Sequence, residues 1–100
     1  MSIEVGSLKN IPVGSSLVVA VKGKKIALFN VGGQIFALED RCSHENVSLA
    51  PGKVENYTVA CPKHGAKFDL KTGKNLCLPA VRPVTRYDVK IEEGKICLVI

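Results

Sequence analysis

Between residues 16 and 39 three apolar-rich runs are separated by only two short breaks, Lys22-Gly23-Lys24 and Val31-Gly32-Gly33. Runs this close leave no room for a crossover, so they can pair only as neighbours in an antiparallel meander. The spacing predicts strands over residues 16–21, 25–30 and 34–39. No window of about 11 residues keeps an i, i+3, i+4, i+7 apolar pattern free of Gly or Pro, so almost no helix is expected.

The same texture recurs at both ends. Residues 3–8 read as a first strand, followed by a turn around Asn10-Ile11-Pro12-Val13-Gly14. Residues 86–92 alternate cleanly, with Tyr87, Val89 and Ile91 on one face and charges on the other. Glu93-Gly94 turns the chain into a closing strand over residues 95–100. The alternation stops at Asp40, and residues 40–52 gather Cys, His, Asn, Ser, Pro and Gly as a loop. Further short strands are expected over residues 57–60, 67–70 and 75–78, the last two flanking a Thr72-Gly73-Lys74 turn. Leu78-Pro79-Ala80-Val81-Arg82-Pro83 is a loop whose prolines donate no ladder bonds. The expected fold is all-β, made of antiparallel sheets in a single domain. Base strands from about 1–39 and 81–100 flank an inserted ligand-bearing segment from about 40–80.

Composition narrows the function. The chain is 46% hydrophobic and 23% charged, which excludes a disordered polypeptide. Its net charge of +5 is spread over turns and around the inserted segment, without a dense Lys/Arg run or an aromatic platform. Nucleic-acid binding is therefore not expected. A basic rim of Lys53, Lys63 and Lys67 would instead steer an acidic protein partner. The N-terminus carries no signal-peptide pattern, and no apolar run approaches the roughly 18–20 residues of a membrane span. A cytoplasmic protein without a membrane partner is expected, in a compartment where cysteine serves as ligand or core residue rather than disulfide.

The chemistry lies in the inserted segment. Cys42-Ser43-His44 is followed, after sixteen residues, by Cys61-Pro62-Lys63-His64. Two thiolates and two imidazoles suit either one tetrahedral zinc or an iron–sulfur cluster with imidazoles on one iron. Zinc fingers usually bring their cysteines first and their histidines second. Here each arm carries one of each, which suits two irons bridged by sulfide, one taking both thiolates and the other both imidazoles.

These residues resemble the Rieske-type iron–sulfur proteins, and specifically the small soluble Rieske-type ferredoxins. The resemblance runs through Cys42-Ser43-His44 and Cys61-Pro62-Lys63-His64-Gly65 to Phe68-Asp69, Thr72-Gly73 and Leu78-Pro79-Ala80, and covers essentially the whole chain. It implies a Rieske-like fold, with a base subdomain and an inserted two-loop cluster-binding subdomain. It also implies one [2Fe–2S] cluster held by Cys42, His44, Cys61 and His64, and a monomeric one-electron carrier rather than an enzyme. Such a carrier takes an electron from a reductase and passes it to a terminal oxygenase or similar acceptor. Related small domains are subunits of nitrite reductases. From other classes, a structural zinc module and a redox sensor remain alternatives.

Departures from the wider family carry information. High-potential respiratory members have an extra cysteine in each loop, forming a disulfide; here those positions are Val47 and Lys63. Those members also place Ser and Tyr after the second histidine as donors to cluster sulfur, where this chain has Ala66 and Phe68. Cys77 and Cys97 are expected to act as packing residues, and Gly65 to allow close packing under the cluster. Val47, Leu49 and Pro79 are expected to form a small apolar docking centre beside the site.

Hydrogen bonds to sulfur favour the more negative, reduced state, so losing two donors lowers the potential. If each bond separates the redox states by about 1 kcal/mol, each loss moves the potential by roughly 40 mV. A potential near the low end for such centres, about −150 mV, is expected from a dye-mediated titration. His44 and His64 are expected to leave one ring nitrogen facing solvent, so the potential should fall at alkaline pH as imidazole protons couple to the electron. A value well above zero at neutral pH, or a flat alkaline profile, would contradict this assignment.

Overall fold

The computed structural model describes residues 2–42, 47–63, 65–78 and 82–99. Strands β1 (Ser2–Ser7), β2 (Ser16–Val21), β3 (Lys24–Val31) and β4 (Gln34–Glu39) precede the inserted segment. Within that segment lie β5 (Lys53–Glu55), β6 (Thr58–Ala60) and β7 (Lys67–Asp69). After it come β8 (Arg86–Glu92) and β9 (Lys95–Val99). Among the described residues the only helix is one 3-10 turn, Leu8–Asn10.

The base is a six-stranded antiparallel sheet in the order β1-β9-β8-β4-β3-β2, and β5-β6-β7 form a separate three-stranded sheet. The two-residue turns Lys22-Gly23, Gly32-Gly33 and Glu93-Gly94 have positive φ at both positions, the backbone whose twist matches paired strands. A register shift between Glu4 and Gly6 kinks β1 against β9.

The strand-rich reading of the sequence matches this architecture, and β2, β4 and β8 have the expected bounds. Three details differ. The sequence reading provided no strand for β5, which carries one apolar residue, Val54, paired with Val59. It turns into β6 through Asn56-Tyr57, both at positive φ, where a glycine would be the usual signal. The expected strand over residues 75–78 reduces to a single bridge, Phe68 to Asn75. The amide of Leu76 still donates to the Lys67 carbonyl at 2.7 Å, but Leu76, Cys77 and Leu78 then leave the sheet and are exposed. Ile91 shares the Tyr87 and Val89 face but is 44% exposed, beyond the edge of the core. Ile100, at the end of the expected closing strand, lies outside the described residues.

β3 is the hinge of the packing. Residues 26–30 are buried on both faces, and alternation divides them between two cores. Ile26 and Leu28 join Ile11, Val21, Ile35, Ala37, Ile96 and Leu98 inside the base. Ala27 and Phe29 point the other way and join Leu38, Leu49, Val59, Phe68 and Leu70. Asn30 is buried yet satisfied: its Nδ2 donates to the Ile11 carbonyl at 2.6 Å, and its Oδ1 accepts from the Gly33 amide at 2.9 Å. Those bonds fix the turn before β2 against the end of β3.

Gly73 ties the small sheet to the strand that returns to the base. Its amide donates to the Asp69 carbonyl, and its own carbonyl accepts from Val84 at 2.9 Å. It has φ +80°, and a Cβ there would lie 2.3 Å from the Val84 carbonyl oxygen. Gly94 has nearly the same φ, +77°, with nothing within 4 Å. Gly94→Ala is expected to lose about 1–2 kcal/mol for the left-handed backbone alone. Gly73→Ala should lose a further 1–3 kcal/mol or so from overpacking. Paired urea melts check this, and equal losses at the two sites would contradict it.

Candidate metal centre

The two candidate thiols stand at strand ends. Cys42 follows β4 by three residues, and Cys61 directly follows β6. Both are free cysteines, 1% and 3% exposed, and both belong to the core cluster that contains Phe29, Leu38, Leu49, Ala66 and Phe68. The expected thiolate pair is thus brought to one buried neighbourhood by two separate stretches of chain. His44 and His64, the expected imidazole ligands, lie outside the described residues, as do Pro79 and Ala80. Among the described residues no three His, Cys, Asp or Glu side chains gather. Buried soft thiols facing an otherwise apolar cluster are a donor set that fits an iron–sulfur group.

Backbone bonds shape each arm. The Cys42 amide donates to the Val47 carbonyl at 2.8 Å. In the second arm the Cys61 amide donates to Ala66 at 2.6 Å, and the Gly65 amide donates to the Cys61 carbonyl at 3.0 Å. This arm is the connection of the β6–β7 hairpin, whose last paired residues are Ala60 and Lys67. Gly65 has φ +72° with no described atom within 4 Å of a notional Cβ. A glycine suits that left-handed turn, as expected of it.

Asp40 is a residue that the sequence reading passed over as the start of a loop. It is 9% exposed, and its Oδ1 accepts from the Leu49 and Ala50 amides, both at 2.9 Å. The Ser48 hydroxyl lies 2.8 Å and 2.6 Å from its two carboxylate oxygens. Its own amide donates to the Lys25 carbonyl at 2.9 Å, fixing it to the start of β3. Ser16 completes the anchorage by donating its hydroxyl to the Ala50 carbonyl at 2.7 Å. The only signal in the sequence was an Asp followed eight residues later by Ser.

Several surface expectations need correction. Leu49 is fully buried, so it cannot belong to a docking surface. Val47 is half-buried against the core. The large exposed apolar side chains near the second arm are instead Leu76, at 48%, and Leu78, at 78%. Between them Cys77 is exposed and is not packing filler; its Sγ lies 3.7 Å from the Gly65 carbonyl, the distance of a weak S–H donor. Cys97 is half-buried because β9 turns Ile96 and Leu98 inward and leaves Cys97 on the other face.

Lys53, Lys63 and Lys67 are exposed, as expected of a rim. Lys53, however, forms an ion pair with Glu55 at 3.0 Å. A hydrogen bond and the charge of Lys53, with the more distant Lys67 adding to them, hold the Glu55 carboxyl below its usual range. Lys53 therefore shares its charge locally with Glu55 at the exposed rim.

Comparisons with known proteins agree with this geometry. Residues 1–88 match the Rieske [2Fe-2S] domain. The 3-phenylpropionate/cinnamic acid dioxygenase ferredoxin subunit of Escherichia coli (strain K12) is 51% identical over 88 residues, 87% of this chain and 82% of that one. The ferredoxin of carbazole 1,9a-dioxygenase from Nocardioides aromaticivorans IC177 superposes with a TM-score of 0.94 at 28% identity, covering 99% and 97% of the two chains. A chain from a complex of reduced oxygenase and oxidised ferredoxin in carbazole 1,9a-dioxygenase gives 0.91 at 28% identity, covering 98% and 92%. No helix among the described residues is long and apolar enough to cross a membrane.

Proposed function

The chain belongs to the Rieske [2Fe-2S] family, and from that premise we propose that Cys42, His44, Cys61 and His64 hold one [2Fe–2S] cluster per chain. The observation that supports the ligand set most directly is the burial of Cys42 and Cys61 in one core cluster at the ends of separate strands. The protein is a Rieske-type ferredoxin, an electron-transfer component of an oxygenase system rather than an enzyme in itself. A bound cluster supplies a one-electron couple. Cys42 and Cys61 would contribute thiolates from an apolar interior, and the backbone bonds to Val47 and Ala66 fix the main chain at both cysteines. Such preorganisation limits the rearrangement that accompanies each change of charge.

The substrate side of the system is an aromatic-ring dioxygenase, by likeness to the relative that serves 3-phenylpropionate and cinnamic acid dioxygenase. The chain acts as a monomer and a single functional domain, with residues from about 40–80 forming the cluster-binding part on a base of 1–39 and 81–100. It works in the cytoplasm between a reductase and the oxygenase. Leu76 and Leu78, exposed beside the second arm, offer the apolar part of a contact surface that Lys63 and Lys67 border.

Cysteine variants separate this reading from a zinc module. The purified protein should be red-brown, with about two iron and two sulfide per chain and a reduced EPR signal. Cys42→Ser, Cys61→Ser, His44→Ala and His64→Ala should each lose the cluster, while Cys77→Ser and Cys97→Ser keep it. Stoichiometric zinc in place of iron, or iron retained by Cys42→Ser, contradicts the assignment. Reduction kinetics test the steering separately. The double change Lys63→Glu and Lys67→Glu should slow reduction by an acidic reductase roughly tenfold at low ionic strength, the difference fading within the salt range where the Debye length drops below about 10 Å. Rates that do not respond to salt would remove the electrostatic contribution.

A further inference from the structure

We infer that Asp40 is a positioning residue for the first ligand arm whose carboxylate charge also holds the redox equilibrium toward the oxidised state. The inference rests on the cluster assignment above and goes beyond it to a residue that ligates nothing.

Asp40 is the one buried acidic side chain among the described residues; Asn30 is the other buried polar group among them. Burying a carboxylate is unfavourable by several kcal/mol unless its surroundings compensate. Here the compensation comes from the Ser48 hydroxyl and the amides of Leu49 and Ala50. All three lie on the chain just after the first ligand pair, while Asp40 lies two residues before Cys42. The side chain therefore clasps the arm from its two ends, and the Lys25 carbonyl and the Ser16 hydroxyl tie both ends to the base.

That clasp does not in itself need a charge. An asparagine is almost isosteric, and its Oδ1 could accept from the same two amides while its Nδ2 met the Ser48 oxygen. The negative charge is what the structure retains beyond the geometric requirement. A centre with two thiolates and two neutral imidazoles gains a negative charge on reduction. A fixed anion buried two residues from a buried ligand opposes that gain, since interactions between buried groups are screened less than in water. The Ser48 hydroxyl, its one proton shared between the two oxygens, offsets part of the anion's field.

Two substitutions that act on the charge in opposite senses test the idea. Asp40→Asn removes the anion and keeps the acceptor for Leu49 and Ala50. Ser48→Ala keeps the anion and removes a donor that offsets it. The measurements are iron and sulfide content, the g values of the reduced centre, thermal melts, and the reduction potential at neutral pH on the cluster-loaded proteins. Asp40→Asn is expected to keep its iron and g values and to favour reduction about tenfold, which is about 59 mV for one electron. Ser48→Ala should disfavour reduction about threefold. A purely structural Asp40 would loosen the arm in both variants, so two shifts of the same sign, or an Asp40→Asn potential within twofold of the natural chain, overturn the inference. If Asp40→Asn loads no cluster, the Ser48→Ala potential decides alone, and an unchanged or raised value overturns it. Absence of iron from the natural chain would refute the cluster assignment instead, so iron content reports on that reading and the potentials on this one.

Discussion

The double burial of β3 and β4 is the constraint on which the rest depends. Successive residues of these strands face opposite cores, Ile26, Leu28, Ile35 and Ala37 into the base and Ala27, Phe29 and Leu38 toward the cysteines. Fully burying side chains of this size contributes about 1.5–3 kcal/mol each. A slip of one residue would exchange the two sets, placing small Ala27 where Leu28 packs and Phe29 out of its own cluster. The glycine turn at Gly32-Gly33 and the Asn30 bonds to Ile11 and Gly33 hold the register in the one arrangement that serves both cores. Because of it, β4 delivers Asp40 and Cys42 to a fixed place.

From that ribbon the inserted segment is held by a few bonds of different kinds. Asp40 and Ser16 secure the chain after the first ligand pair, at Ser48 and Ala50. Phe36 of β4 meets Tyr57 edge-on, with ring centroids 5.7 Å apart, and the Lys71 ammonium sits 4.2 Å from the same tyrosine ring. Tyr57 has φ +60°, a conformation strained for a bulky side chain. Its contacts with Phe36 and Lys71, together with the bond its carbonyl accepts from the Leu70 amide at 2.8 Å, account for its persistence in that turn. A glycine would suit the backbone better but would remove the aromatic link between base sheet and small sheet.

This division explains what was legible in the sequence. Strands with strong alternation and glycine turns, such as β2, β4 and β8, follow from side-chain period and turn chemistry, both of which are local. The cysteine–histidine spacing is a local signal too, and the burial of Cys42 and Cys61 agrees with a ligand role. What the sequence does not show depends on pairing and facing partners rather than on composition within one run. Leu49 belongs to the core because Asp40 pulls its amide inward, and no pattern within residues 40–52 encodes that. β5 exists because Val54 has Val59 to pair with, and the turn between them hides its character behind Asn56-Tyr57. Cys97 lies in an apolar run but is only half-buried, because β9 has one buried face and one open, so alternation inside the run decides. The composition of residues 75–78 suits a strand, but at Cys77 and Leu78 the chain has already left the ladder.

The residues that stabilise the core around the thiols are also those that withhold hydrogen bonds from it. Ala66 and Phe68 are both fully buried beside Cys61, Val59 and Leu70. A hydroxyl added at Phe68 would enter a closed apolar cluster. Unless it met an acceptor there, such as a cluster sulfur, it would cost about 1–3 kcal/mol as an unsatisfied donor. An apolar surround packs well, and neither Ala66 nor Phe68 carries a side-chain hydroxyl that could donate to sulfur. Asp40 differs from them: its carboxylate lies at the margin of the interior, two residues before Cys42, and is compensated by its own loop.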